Sequence, residues 1–187
     1  MMRALVALEM YSCNNLNLMK FNVPNISEIN KLVSNCLWSD KLVELEALTR
    51  MMQIAYTAQN YELVSKCGQK AFKLDGITIK TAGFKKLVNY NYKVEQELLS
   101  VAACLQGLSS MDTAFGRKEM HMNAMKAFEQ SACYGEKAGN IRLVMNAARN
   151  FWNFCLSMIP SPMERKLLEQ PIRTFLNAIN TTYAKDR

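Results

Sequence analysis

With 187 residues, the chain is long enough to bury a sizeable core as one or two domains or as one extended array. Half of its residues are hydrophobic, while only 7 are Gly and 4 are Pro. Together with 13 Met and many Leu and Ala, this favours an all-α chain. The net charge of +7 is moderate. It draws the chain toward acidic surfaces without any accompanying nucleic-acid motif, so nucleic acid is not an expected partner.

The first segment, 1–24, reads as a helix and linker. Its apolar run is interrupted by Glu9, and no stretch reaches the roughly eighteen apolar residues of a membrane span. A cytosolic chain without membrane contact is the default. From 25 to 187 the punctuation marks a string of helices. Asn25 or Ser27 is a candidate N-cap, followed by Ile26, Ile29, Leu32, Val33, Cys36 and Leu37 at helical spacing. Ser39-Asp40 opens the next helix, whose stripe of Leu42, Leu45, Leu48, Met51, Met52 and Ala55 ends near Gln59. Asn60 turns the chain into a helix over 61–74, closed by Asp75-Gly76 as a left-handed C-terminal signal. "GITIK" (76–80) is the one strand-like stretch, and it is short.

A long helical region is expected over 84–108, either unbroken or divided near Asn89-Tyr90-Asn91, and 109–116 reads as a loop. In 117–137 the small residues Ala124, Ala127, Ser131 and Ala132 permit close helix approach. Gly139-Asn140 leads into a helix over 141–158, bounded by Pro160 and Pro162. Ser161-Pro162-Met163-Glu164 is a capping box with Pro at the first helical position. Pro171 should kink or split the last helix. These are about seven helices on short turns, hence antiparallel hairpins that close into a bundle or stack into a solenoid.

Internal repetition favours the solenoid. Asn60 and its following helix recur eighty residues later at Asn140, with Leu63/Leu143 and Val64/Val144 identical. Cys67/Ala147 and Gly68/Ala148 are both small, and Phe72/Trp152 are both aromatic. One difficulty accompanies the match: if 84–108 is a single helix, the two copies are an odd number of helices apart.

No catalytic constellation stands out. The glycines of 107–118 are wrongly spaced for a phosphate loop, and His121 reads as a surface or core-edge histidine. The six cysteines, Cys13, Cys36, Cys67, Cys104, Cys133 and Cys155, form no ligand pair and read as small buried hydrophobes in a reducing compartment. The expectation is a chain without enzymatic activity, cofactor, metal or small-molecule substrate. Two surfaces are candidates for interaction. Lys66, Lys70 and Lys73 form one basic stripe, with Lys85 and Lys86 beyond it, as a solvated face or a contact for an acidic partner. Asn146, Arg149, Asn150 and Asn153 could line the concave groove of a peptide-binding adaptor. Phe151, Trp152 and Phe154 divide between core and interface, and Leu5, Val6 and Leu8 at one end, with Phe175, Leu176 and Ile179 at the other, lack a polar cap.

Leu48, Met51, Ala55, Tyr61, Val64, Ala71 and Phe72 resemble the tetratricopeptide repeat (TPR) pattern, with Gly68 replacing its usual aromatic and Gly76 its frequent Pro. The implied fold is a degenerate TPR-like α-solenoid. "ELLSVAACLQGLSSMD", "KAFEQSACYGEKAGNIRLVMNAARNFWNFC" and "PSPMERKLLEQPI" are similar to large tetratricopeptide proteins of motile cilia. That resemblance implies a structural scaffold in the central apparatus of the axoneme. Its partners would be other large axonemal proteins and acidic surfaces such as tubulin.

Overall fold

A computed structural model describes residues 1–13, 24–76, 85–113 and 118–185, with the side chains of 85–88 and 118–120 outside the described set. The described residues contain eight helices and no strand. They are α1 (Met2–Ser12), α2 (Ile26–Ser34), α3 (Lys41–Thr57), α4 (Tyr61–Phe72), α5 (Lys85–Asp112), α6 (Lys118–Ala138), α7 (Ile141–Cys155) and α8 (Pro162–Lys185). The helix in the opening segment is thus the eighth beside the seven expected, and Ala4, Ala7 and Leu8 bury it in the same core as α2–α4. Of the strand-like "GITIK", only Gly76 lies within the described residues.

Local chemistry explains most boundaries. Asn25 begins α2 with a reciprocal capping box: its Oδ1 accepts the Glu28 N–H at 2.9 Å, and Glu28 Oε2 accepts the Asn25 N–H at 3.1 Å. This helix ends at Ser34, earlier than the hydrophobic spacing suggests. The Trp38 indole N–H donates to the Val33 carbonyl at 3.2 Å, which satisfies a helix-end acceptor and leaves Leu37 95% exposed. Asp40 caps α3 through the Leu42 N–H at 2.8 Å. Asn60 caps α4 through Leu63, and Asn140 caps α7 through Arg142 and Leu143. Pro162 occupies the first position of α8, where its missing N–H costs nothing. Pro171 lies inside α8 without splitting it.

Helix α5 is continuous through Asn89–Asn91, and residues 109–112 extend it rather than forming a loop. Ser109 is buried in that last turn, and Tyr61 O–H donates to Asp112 Oδ2 at 3.3 Å, so the end of α5 is held from α4. At 28 residues α5 spans about 42 Å. It contributes Leu99, Ala102 and Ala103 to one hydrophobic cluster with α1–α4, and Cys104 and Leu108 to a second with α6–α8. Each helix packs on its chain neighbours, with second-neighbour contacts α1 to α3, α3 to α5, α5 to α7 and α6 to α8. Helices alternating between two layers, touching only near neighbours, make an all-α, solenoid-like stack of hairpins.

The repeated stretches adopt the same joint. The Asn60 N–H reaches back to the Ala55 carbonyl and Gln59 N–H to Tyr56; Asn140 N–H reaches Gly135 and Gly139 N–H reaches Glu136. Both are Schellman closures, with a left-handed residue at φ 58° (Gln59) or 65° (Gly139), after which the next Asn caps the following helix. Val64 and Val144, Cys67 and Ala147, and Ala71 and Phe151 are buried as pairs. Because α5 is one helix, the copies are three helices apart. The α3–α4 hairpin and the α6–α7 hairpin therefore stand with their layers interchanged. The echo records how a joint is made; the structural unit repeats on a different phase.

Candidate interaction surfaces

Close approach of α5 and α6 creates the platform on which the surfaces sit. Ser100 Oγ donates to the Ser131 carbonyl at 2.8 Å, and Ser131 Oγ returns a bond to the Ser100 carbonyl at 2.8 Å. These reciprocal bonds are possible only where small side chains bring two backbones together. Ala103, Ala124, Ala127 and Ala132 are buried as well, in line with the small-residue pattern. Gly107 allows the Phe128 ring to lie against the α5 backbone.

The basic stripe is exposed but partly engaged. Lys66 pairs with Glu62 at 2.6 Å one turn earlier, and Lys70 Nζ donates to Ser34 Oγ of α2 at 3.3 Å. Lys73 is exposed beyond them. Lys85 and Lys86 open α5, and their side chains lie outside the described residues. Salt-bridged and helix-bridging lysines are the ordinary chemistry of a solvated helix face.

The four polar residues of α7 divide. Asn150 Nδ2 donates to Cys104 Sγ at 3.1 Å, and Asn146 Nδ2 lies 3.8 Å from the same sulfur. Asn146 and Cys104 border a cavity of about 220 Å³ between α3, α5 and α7, lined also by Gln53, Leu105, Leu108 and Leu143. Arg149 and Asn153 are not drawn to Cys104; both are exposed. Across the α3–α4 joint, Tyr56 in the last turn of α3 and Tyr61 at the start of α4 stack obliquely with ring centroids 6.2 Å apart. Burial and a hydrogen bond to Asp112 push the Tyr56 hydroxyl up to about 12.

Chemical reactivity is low among the described groups. Burial pushes the Cys104 thiol above its usual range, against the opposing pull of Asn150 and Ser131, so the sulfur stays protonated and acts as a packed acceptor. Cys67 and Cys155 are buried and raised for the same reason, whereas Cys13 is exposed and does not fit the buried-hydrophobe expectation. Cys13 follows α1 as its C-cap, past the buried Ala4, Ala7 and Leu8, and its thiol donates to Glu9 at 3.5 Å. His121 is half-buried, its ring 5.3 Å from that of Phe154. No group of three or more His, Cys, Asp or Glu among the described residues could hold a metal ion. No described helix is long and apolar enough to cross a membrane. A larger open cavity of about 560 Å³ lies beside α1 and α2, where Arg3, Glu28 and Lys31 mix signs without converging.

The aromatic cluster resolves into two core residues and one surface residue. Phe151 and Phe154 are buried, with Phe151 stacked on Phe175 of α8 at 4.6 Å, while Trp152 is 53% exposed. The two ends of the stack are also only partly apolar at the surface. Leu8 and Phe175 are core residues, and Leu5 and Ile179 pack against the clusters, leaving Val6 and Leu176 exposed. Sequence spacing alone could not separate these, because two helix faces both carry apolar residues. No protein-family model matches the chain, and no solved structure matches it.

Proposed function

We propose that the chain is a non-enzymatic structural scaffold, a helical-repeat subunit that joins a large assembly through the ends of its stack. The observation that carries this reading is the combination of neighbour-only packing with exposed apolar side chains on the end helices. Met2 and Val6 on α1, Met145 and Trp152 on α7, Leu156 at its C-cap, and Leu176 on α8 all face solvent. A stack that buries each helix against the next leaves its last faces unburied unless polar caps or partners cover them. Sedimentation and binding of a hydrophobic dye to the purified chain test this directly. Dye binding or association is expected; a monodisperse monomer that binds no dye would remove the basis of the reading.

The assembly proposed is the ciliary axoneme, in a central-apparatus projection on a central-pair microtubule that supports cilium and flagellum motility. The support is the sequence likeness to large tetratricopeptide proteins of motile cilia, cilia- and flagella-associated protein forty-six among them. Other axonemal proteins would be its partners, with the exposed Lys66, Lys70 and Lys73 available to an acidic surface such as tubulin. A tagged chain expressed in motile ciliated cells should remain with detergent-extracted axonemes. Complete release into the soluble fraction would end the ciliary proposal while leaving the scaffold reading open to its own test.

A second reading, a free-standing peptide-binding adaptor in the cytosol, draws on the convergence of Asn146 and Asn150 on Cys104, with Asn146 and Cys104 lining the groove. Its cavity falls below the roughly 300 Å³ at which binding pockets usually begin. Binding of an extended peptide that is lost on Asn146→Ala would favour this reading over the scaffold.

A further inference from the structure

The outer flank of α7 combines three features: an apolar stripe, a helical period and uniform charge. Met145, Trp152 and Leu156 follow one another at intervals of seven and four, with Arg149 between the first two and Arg142 one turn before. Leu156 is the C-cap of α7 and keeps helical backbone angles (φ −54°, ψ −35°), so at 100° per residue these five positions share one side. Asn146 and Asn150 point to Cys104 of α5, and Val144, Ala147 and Phe151 point into the core. The stripe therefore lies roughly opposite the buried face of the helix, turned to solvent. Met145 is 47% exposed, and Trp152 and Leu156 are each 53% exposed. No Asp or Glu occurs in α7, and neither Arg142 nor Arg149 takes part in an ion pair among the described residues.

We infer that this flank docks an amphipathic helix of a partner protein, laid along α7 with its apolar stripe on Met145, Trp152 and Leu156 and acidic residues meeting Arg142 and Arg149. The spacing of 4, 3 and 4 between Met145, Arg149, Trp152 and Leu156 is that of a helix–helix seam, which an extended strand could not follow. A half-exposed Trp flanked by Arg has the composition of an interface anchor. The charge selects the occupant. A helix with basic flanks would place like charges beside two uncompensated guanidiniums, whereas Glu or Asp would pair with them. The inference rests on the scaffold reading for its setting and names the chemistry of what covers one end.

The test uses the full chain and two fluorescent designed helices of about 21 residues, three heptads with Leu at the first and fourth positions. One carries Glu at the flanking positions and the other Lys. Anisotropy should show the Glu helix binding at least tenfold more tightly than the Lys helix, with the difference shrinking as salt rises. Trp152→Ala should weaken the Glu helix tenfold or more while leaving the circular dichroism and melting of the chain unchanged, since Trp152 is a surface residue. Arg142→Glu combined with Arg149→Glu should reverse the preference toward the Lys helix. Equal binding of both helices, failure of both to bind, or indifference to Trp152→Ala would overturn the inference. A dimer of the chain that Trp152→Ala dissociates would overturn it too, because the occupant would then be a second copy. If the chain binds hydrophobic dye or associates and yet neither helix binds, the scaffold reading survives and only this inference falls.

Discussion

Single residues in the α5–α6 contact show how finely the stack is fitted. A Cβ on Gly107 would lie 2.6 and 2.7 Å from carbons of the fully buried Phe128 ring. Gly107→Ala should thus lose about 1–3 kcal/mol to overpacking, only partly offset by the better helix propensity of Ala. Urea unfolding measures this, and Phe128→Leu in the same chain should recover part of the loss; simple additivity would contradict the contact. Gly68 is the contrasting case, since its Cβ would meet the flexible ends of Gln106 and Met52. Gly68→Ala should be neutral or stabilising by up to about 1 kcal/mol.

Tyr134 adds a pH dependence at the same scale. Its hydroxyl donates to Asp75 Oδ2 at 2.9 Å and accepts from Gln130 at 3.1 Å, tying α6 to the chain beyond α4. Burial, with the Asp75 hydrogen bond, raises the hydroxyl from 10 to about 12. The folded state holds this proton more tightly than the unfolded state. The contribution is therefore complete below pH 10 and is lost as pH rises toward 12. Tyr134→Phe should cost about 1 kcal/mol at neutral pH and flatten the fall in stability over that window. An unchanged alkaline slope would show that Tyr134 does not carry this linkage.

At the scale of elements, the two joints make the sharpest forecast. Asn60→Ala and Asn140→Ala should each destabilise by about 1 kcal/mol, as lost N-caps do. Asn140 has a further role, because its Nδ2 donates to Glu97 Oε1 of α5 at 3.0 Å, so its removal should cost more than that of Asn60. Gln59, with Cβ and a φ of 58°, performs the task that Gly139 performs in the second joint. Gln59→Gly should stabilise the chain by about 0.5–1 kcal/mol through relief of left-handed crowding. Calorimetry on the three variants checks both statements, and a destabilised Gln59→Gly would count against the shared Schellman geometry.

Over the described residues, α5 gives buried residues to both hydrophobic clusters, Leu99, Ala102 and Ala103 to one and Cys104 to the other, and α6 joins them through Tyr134 in the first and Phe128 in the second. Opening either half of the stack leaves α5 packed on the other, so its central amides should exchange with solvent only through global unfolding. Hydrogen exchange should find residues 99–104 the most protected. The outer turns of α1 and α8, each covered from one side of the stack, should exchange earlier. Equal protection along the chain would mean that the two clusters unfold as one unit.

Helix class, caps and joints were determined by the sequence itself, because they depend on residues within a few positions of each other. Asn25, Asp40, Asn60, Asn140 and Ser161 announce their helices through bonds to N–H groups two or three residues ahead. Where two apolar faces compete, only packing decides which is covered. Phe151 and Trp152 are adjacent and both aromatic, yet one stacks on Phe175 and the other meets solvent. Likewise Asn146 and Asn150 turn toward Cys104 while Arg149 between them stays exposed. Burial is a property of the neighbouring helix, and those neighbours lie more than forty residues away along the chain for Cys104 and Asn146. The unbroken α5 decided the phase of the repeat: the helix runs on through a polar Asn89–Asn91 that local propensity would have allowed to break, while its contacts to the two cores lie farther along, from Leu98 to Met111.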